Sequence, residues 1–310
     1  MQQRRRFPRI TDVVTDPQPP RKDNKADWPG VIHTRLSDVE ATMERLPPWS
    51  IYVTRDEVTL AQLINSPAGE GNHHHTHSGH DEWWIIMSGV TEFHLTGGKS
   101  FKAEMGDICW VPRGTAHHVF AADGKPSVRL AVQMVGGSVY ELPDCEVCGR
   151  KWDSVRERDL DNPFVTVTDL VRGPVPPRND DNVYPGVLHT RPSDLLKERG
   201  KPPWGVTLIS DERNQCNLIA DVPGGSNRPH WHNNYDEWWY VAQGTLEWHL
   251  TGGKVVTATR NDIVWVPRGT VHHIRTVGDE VSMRFAVTVP PAEHIWTELC
   301  EVCGYKHASE

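Results

Sequence analysis

Residues 49 to 148 align with residues 204 to 303 without a gap, at an offset of 155 and with about 40 identical positions in 100. A continuous match of that length is a duplicated module. The fold must therefore be one that can be built twice in a chain of 310 residues, from units large enough to bury a core each. Shared words include Asp81-Glu82-Trp83-Trp84 against Asp236-Glu237-Trp238-Trp239, and the stretch from His94 to Lys99 against that from His249 to Lys254. Another pair is Trp110 to Thr115 against Trp265 to Thr270. A further word precedes each module at an offset of 156, running from Pro29 to Arg35 and from Pro185 to Arg191. Residues 149 to 183 are rich in charge and proline, with Pro174, Pro176 and Pro177 close together, and read as a linker with the lead-in to the second half. The expected boundary lies near residue 158, giving domains 1–158 and 159–310.

Within each module the texture is short β-runs, such as Glu82 to Ile86, Thr91 to Leu95 and Ile108 to Val111, punctuated by glycine turns at Gly97-Gly98 and Gly252-Gly253. That texture predicts an all-β chain of two jelly-roll barrels. Helix is expected to be sparse, over Ser37 to Arg45 and Ser193 to Glu198, each opening on a serine cap. Thirteen tryptophans are many for this length, and two pairs, Trp83-Trp84 and Trp238-Trp239, directly follow an acidic residue. Neighbouring side chains on a strand point to opposite faces, so one of each pair should face into its barrel, filling the core or stacking on a substrate.

Net charge is −8, which offers no basic face for nucleic acid or an anionic membrane. The Arg4-Arg5-Arg6 run is followed by Asp12 and Asp16 rather than by the apolar stretch of a secretory signal. No run approaches the roughly 20 apolar residues of a membrane helix. A soluble, cytoplasmic protein is expected.

Both modules carry His-x-His, then Glu, then a later His, with identical spacing. The first set is His75, His77, Glu82 and His117; the second is His230, His232, Glu237 and His272. Two histidines two apart on a strand project from one face, and the other two residues arrive from later runs, so several strands can converge on one point. Three imidazoles and a carboxylate suit Fe(II), Mn, Ni, Cu or Zn. An octahedral ion held by four protein groups keeps two open positions, as catalysis requires. His73, His74 and His80 read as solvated neighbours. The surroundings differ between copies: Arg55, Gln62 and Asn72 align with Ser210, Asn217 and Asn227, while Arg228, Asn233 and Asn234 lie near the second set. Arg55, Arg113 or Arg228 would suit a substrate carboxylate, and Arg113, with its twin Arg268 in the Pro-x-Gly turn, equally suits a role in the fold.

Each ligand set sits in a frame of Gly69 … Gly89 and Gly106 … Pro112-x-Gly114, repeated as Gly224 … Gly244 and Asn261 … Pro267-x-Gly269. This two-part pattern resembles the cupin superfamily, and two copies in one chain resemble a bicupin. Each module also ends in Cys-Glu-Val-Cys-Gly, at Cys145 to Gly149 and Cys300 to Gly304. Such a turn aims two sulfurs at one ion, so Cys145, Cys148, Cys300 and Cys303 together predict a four-cysteine site for Zn or Fe. The alternative is a disulfide or redox pair. Cys109 and Cys216 read as buried free thiols.

A cupin site combined with Cys-x2-Cys resembles in part the bacterial 3-hydroxyanthranilate 3,4-dioxygenases, although there both cysteine pairs share one tail and the iron has fewer protein ligands. Bicupins with four ligands in both halves include flavonol 2,4-dioxygenases and oxalate decarboxylases. The resemblance implies a dioxygenase, with Fe(II) as the expected ion, cleaving a small electron-rich aromatic such as an aminophenol or hydroxybenzoate with O2. The alternatives are a redox-neutral decarboxylase, lyase or isomerase on a small carboxylic acid, and a binding-only sensor. A homo-oligomer is also expected from the resemblance.

Overall fold

The computed structural model of the protein describes residues 25–27, 32–42, 47–55, 59–77, 79–134, 139–153, 187–211 and 214–306. Strands dominate, and helices are present where two were expected, as Leu36–Thr42 and Pro192–Arg199. Each opens one residue before its serine, so Ser37 and Ser193 sit inside the first turn rather than at the cap, and residues 43–45 of the first expected helix lie outside the described residues. In one compact unit a seven-stranded sheet runs in the order Lys25–Asp27, Trp49–Arg55, Thr59–Ser66, Ser127–Met134, Glu82–Ser88, Ile108–Val111, His189–Thr190. A five-stranded sheet faces it, ordered Tyr140–Glu141, His75–Thr76, His117–Ala121, Val90–Leu95, Lys99–Glu104. The other unit repeats the plan. Its six-stranded sheet holds Trp204–Ser210, Gln215–Asp221, Ser282–Thr288, Glu237–Gln243, Asp262–Val266 and His33–Arg35. Its five-stranded sheet holds Lys254–Thr259, Thr245–Leu250, His272–Val277, His230–Trp231 and Ile295–Trp296.

The period-2 rule explains what each barrel buries. On Glu82–Ser88, Glu82, Trp84 and Ile86 share one face. Trp84 and Ile86 pack there with Phe93, Leu95, Val111 and Val119. Trp239 and Val241 do the same with Leu246, Trp248, Leu250 and Val264. The inward tryptophan of each pair is therefore Trp84 or Trp239. Its neighbour, Trp83 or Trp238, lies on the opposite face and is also buried. Burying these faces supplies the main stabilisation, at roughly 25 cal/mol per Å² of apolar surface. The edge strands Lys99–Glu104 and Lys254–Thr259 each open on an exposed lysine and carry further exposed polar residues, Ser100, Lys102 and Glu104 in one and Thr257 and Thr259 in the other, which guards their unpaired backbone against adventitious pairing. Gly89 links two strands with φ 70°, and a Cβ there would lie 2.4 Å from the carbonyl oxygen of Pro126, so only glycine fits.

The compact units are not the two halves of the sequence. One holds the described residues from 192 onward together with 32–42, and the other holds those from 47 to 191 together with 25–27. The boundary expected near residue 158 lies outside the described residues. The division into 1–158 and 159–310 departs from the fold because the repeated His-Thr-Arg words are exchanged. His33–Arg35 pairs with Asp262–Val266, and His189–Thr190 pairs with Ile108–Val111. Each word caps the open edge of the strand it joins. An aspartate at the start of that strand secures the graft: His33 Nε2 lies 2.9 Å from Asp262 Oδ2, and His189 Nε2 lies 2.6 Å from Asp107 Oδ2.

Candidate metal centres

Three strands bring the first ligand set together between the two sheets. His75 and His117 lie directly opposite each other in the five-stranded sheet, His77 follows the same short strand, and Glu82 opens the inner strand of the larger sheet. Glu82 Oε2 is 2.8 Å from His77 Nε2, 3.1 Å from His117 Nε2 and 3.8 Å from His75 Nε2. In the second unit Glu237 Oε2 is 2.7 Å from His232 Nε2, 3.2 Å from His272 Nε2 and 4.0 Å from His230 Nε2. All eight residues are buried. The sequence-derived ligand sets are thus both assembled.

The back of each ring decides which nitrogen faces the centre. Nδ1 of His75, His117, His230, His232 and His272 lies 2.7 to 3.2 Å from the carbonyl oxygens of His73, Thr115, Arg228, Glu293 and Thr270 respectively. A carbonyl only accepts, so Nδ1 carries the proton and Nε2 presents a bare lone pair. Adjacent ligands of an octahedral ion with bonds of about 2.1 Å lie about 3 Å apart, so a first-row divalent metal fits both sets. The protonation states agree with this. Burial opposes ionisation of Glu82, but His77, His117 and His75 outweigh it and hold the carboxyl well below the usual range; His232 and His272 do the same for Glu237. Burial, reinforced by the His75 charge, brings His117 down to about 4.

Those shifts have a sign. An imidazole whose folded pKa lies below its unfolded value of about 6.5 binds fewer protons in the native state than in the unfolded one, so stability is lost as pH falls through that window. Burial also brings His273 down to about 4 and His118 to about 3. The melting temperature of the metal-free chain is expected to fall steadily from pH 7 to pH 4. A flat profile by circular dichroism would contradict this account.

The surroundings of the two centres differ as the sequences do. In the first, Gln133 Nε2 donates to Glu82 Oε1 at 2.7 Å, a clamp the sequence did not signal because residue 133 is 51 positions away in the chain and comes alongside only when Ser127–Met134 pairs with Glu82–Ser88. His74 and His80 are buried rather than solvated: His74 Nδ1 meets the Asp144 carbonyl at 2.6 Å, and the His80 ring lies 4.3 Å from that of His77. In the second, Tyr235 occupies the position of His80, with its hydroxyl 3.3 Å from His232 Nε2. His294 stacks on Trp296 at 5.2 Å and 14°, and both rings lie within 5.0 Å of His230. Asn72 and Asn227 accept the backbone N–H of Val119 and Ile274, so both secure strands.

Of the arginines expected to bind a carboxylate, Arg113 is held in another role. Arg113 donates from Nε and from its backbone to Asp81, and its twin Arg268 does the same to Asp236; the pair holds the Pro-x-Gly turn in shape. Arg55 ends its strand opposite Leu60, and its side chain lies outside the described residues. An inward arginine that the sequence reading passed over is Arg129, buried on the same face as Gln133 beside a cavity of about 220 Å³ that Asn65, Ser66 and Trp49 also line. Its twin Arg284 is buried as well. Burial lowers both guanidinium groups only to about 10, so they remain charged at neutral pH.

The cysteines correct the prediction of a single four-cysteine site. Cys145 and Cys148 meet His94 and His118 of the same unit, and Cys300 and Cys303 meet His249 and His273 of theirs. Each pair therefore closes on its own sheet, because the turn that carries it packs against two histidines already paired across neighbouring strands. Cys109 and Cys216 are buried free thiols, and burial raises both.

Among the described residues no helix is long and apolar enough to cross a membrane. A comparison with curated proteins gives no match. Among solved structures, a cupin 2 conserved barrel domain protein from Leptotrichia buccalis is similar at 10% identity, covering 77% of this chain and 88% of that one with a TM-score of 0.51. An oxalate decarboxylase studied for its substrate binding mode and reaction specificity switch is similar at 20% identity, over 86% and 80% of the two chains, with a TM-score of 0.50. A tryptophan-to-phenylalanine variant of oxalate decarboxylase (B. subtilis) gives 21% identity, the same coverage and a TM-score of 0.50. At such identities the likeness concerns the fold. Residues 62–133 and 217–289 each match the family described as Cupin domain, and with two jelly rolls that each gather three histidines and a glutamate, the chain is a bicupin of the cupin superfamily.

Proposed function

We propose that the protein is a non-haem metal dioxygenase, with Fe(II) as its ion, that cleaves a small electron-rich aromatic such as an aminophenol or hydroxybenzoate. The observation that carries this reading is the aromatic rim of the second centre, where Tyr235, His294 and Trp296 stand beside an intact ligand set. A bound ferrous ion would supply a redox-active centre with two exchangeable positions. The chain's own groups do the rest. His294 and Trp296 offer a stacked face for a flat ring, and Trp296 is half exposed, where an entering molecule can reach it. Burial, then the Glu237 charge, pushes the Tyr235 phenol up, so it stays protonated and donates a hydrogen bond to a substrate oxygen rather than acting as a base. Both oxygen atoms of O2 would enter the product as one ring carbon–carbon bond breaks. A cytoplasmic setting, where thiols stay reduced, accords with the six free cysteines.

A second reading is a redox-neutral decarboxylase, lyase or isomerase acting on a small carboxylic acid. Arg129 favours it: a buried cation whose Nε has no partner borders a cavity, as a carboxylate site requires. The oxalate decarboxylases among the structural neighbours make oxalate the acid to try first. The iron-reconstituted chain should be assayed in an oxygen electrode against aminophenols, hydroxybenzoates and catechols, with CO2 release from small acids followed in parallel. Uptake of one O2 per ring opened supports the dioxygenase. CO2 release without O2 uptake replaces it with the second reading.

A further inference from the structure

On each five-stranded sheet the strand that carries a cupin ligand inward carries a second histidine outward. His117 faces the barrel centre, so His118 faces the opposite side. There it lies directly across from His94 on the neighbouring strand, and His273 lies across from His249 in the other unit. Outward positions on a sheet are ordinarily wet, yet these four histidines are 0 to 5% exposed. What covers them is the cysteine turn. It is a small hairpin, bridged between Asp144 and Lys151 in one unit and between Leu299 and Lys306 in the other. The amide of Gly149 donates to the Cys145 carbonyl and that of Gly304 to the Cys300 carbonyl. Both glycines have positive φ, 69° and 71°, which lets the turn close tightly enough to present two sulfurs on one side. Burial raises the Cys145 and Cys300 thiols, and the backbone amides of Cys148 and Val147, and of Cys303 and Val302, which aim at those sulfurs, offset part of that rise.

We propose that each half holds a second, closed metal site of the Cys2His2 type, with Zn(II) bound by Cys145, Cys148, His94 and His118 in one unit and by Cys300, Cys303, His249 and His273 in the other. The geometry carries it. The four sulfur-to-Nδ1 distances are 3.6, 3.8, 3.9 and 3.5 Å. Zn–S bonds of about 2.3 Å and Zn–N bonds of about 2.05 Å, at the tetrahedral angle, put sulfur and nitrogen about 3.6 Å apart. Ring polarity agrees. Glu92 Oε1 lies 2.9 Å from His94 Nε2, and Glu247 Oε2 lies 3.2 Å from His249 Nε2, so each carboxylate accepts a hydrogen bond from Nε2–H and Nδ1 is left with a free lone pair facing the sulfurs. Charge also balances: two thiols lose their protons to solvent as the ion enters, and two thiolates neutralise a dication, which limits the cost of burying it. Four protein ligands leave no open position, so the ion clamps the terminal hairpin to its barrel rather than taking part in turnover.

The test uses the intact chain. Purified protein should release about two zinc equivalents on titration with a thiol-blocking mercurial. Cobalt-substituted protein should show sulfur-to-cobalt charge transfer together with the strong visible bands of a tetrahedral ion. Cys148→Ser and Cys303→Ser should each remove about one of these equivalents, while His75→Ala and His230→Ala should remove none. Because a hairpin variant can fail to fold, the cobalt spectrum of the unmodified chain decides independently. Absence of thiolate-to-cobalt absorption, unchanged zinc in folded cysteine variants, or a Cys145–Cys148 disulfide by mass spectrometry would each overturn the proposal.

Discussion

Glu237→Gln is expected to empty the second cupin centre and to lower kcat/KM by more than the roughly 10–100-fold that loss of an outer partner of a metal ligand costs. Glu237 is the one carboxylate among three imidazoles, with Oε2 2.7 and 3.2 Å from Nε2 of His232 and His272. An amide keeps the shape but removes the charge that offsets a dication in a buried site. Metal analysis should show a loss of about one ion per chain. Glu82→Gln should remove a different ion, that of the first centre. If the aromatic rim marks where substrate binds, turnover follows Glu237 and survives in Glu82→Gln. Full metal content and full turnover in Glu237→Gln would sink both the ligand assignment and the placement of the chemistry.

Trp84→Ala is expected to cost about 3–5 kcal/mol of stability, the range for emptying a large aromatic from a packed core. Trp84 is 2% exposed and meets Phe93 edge-on at 5.3 Å. The same indole stands edge-on to His117 at 5.3 Å, so the cavity would also loosen a metal ligand. Urea unfolding should register the first effect and a weaker metal dissociation constant the second. Trp296→Ala, by contrast, removes a side chain that is 50% exposed and should change stability by no more than about 0.5 kcal/mol. Equal costs for the two substitutions would refute this division between a core tryptophan and a rim tryptophan.

The cupin centres were legible because their chemistry is local in pattern. His75-x-His77 and Glu82 lie on consecutive strands, period 2 assigns their faces, and an identical set at an offset of 155 makes coincidence untenable. The inward tryptophan and the two helices followed from equally short-range rules. The cysteine centres were half legible. Cys-x2-Cys-Gly announces a turn, but its partners are chosen by cross-strand register. His94 and His118 are 24 residues apart and become neighbours only when Val90–Leu95 pairs with His117–Ala121. Two cysteine pairs read without that register add up to one site instead of two. Arg113 misled for a related reason, since an arginine near a ligand turn looks available until its aspartate is seen to hold it.

By itself, then, the sequence determined a duplicated β module, its ligand types and their strand faces, because each depends on spacing within a few residues or on the repeat itself. The tertiary structure decided which word completes which barrel, which groups meet the thiols, and what rims each centre. His33–Arg35 pairs with a strand some 230 residues onward, and His189–Thr190 with one some 80 residues back. Pairings of that kind are set by which sheet edge is open and which aspartate waits at it, and these are properties of the assembled barrels.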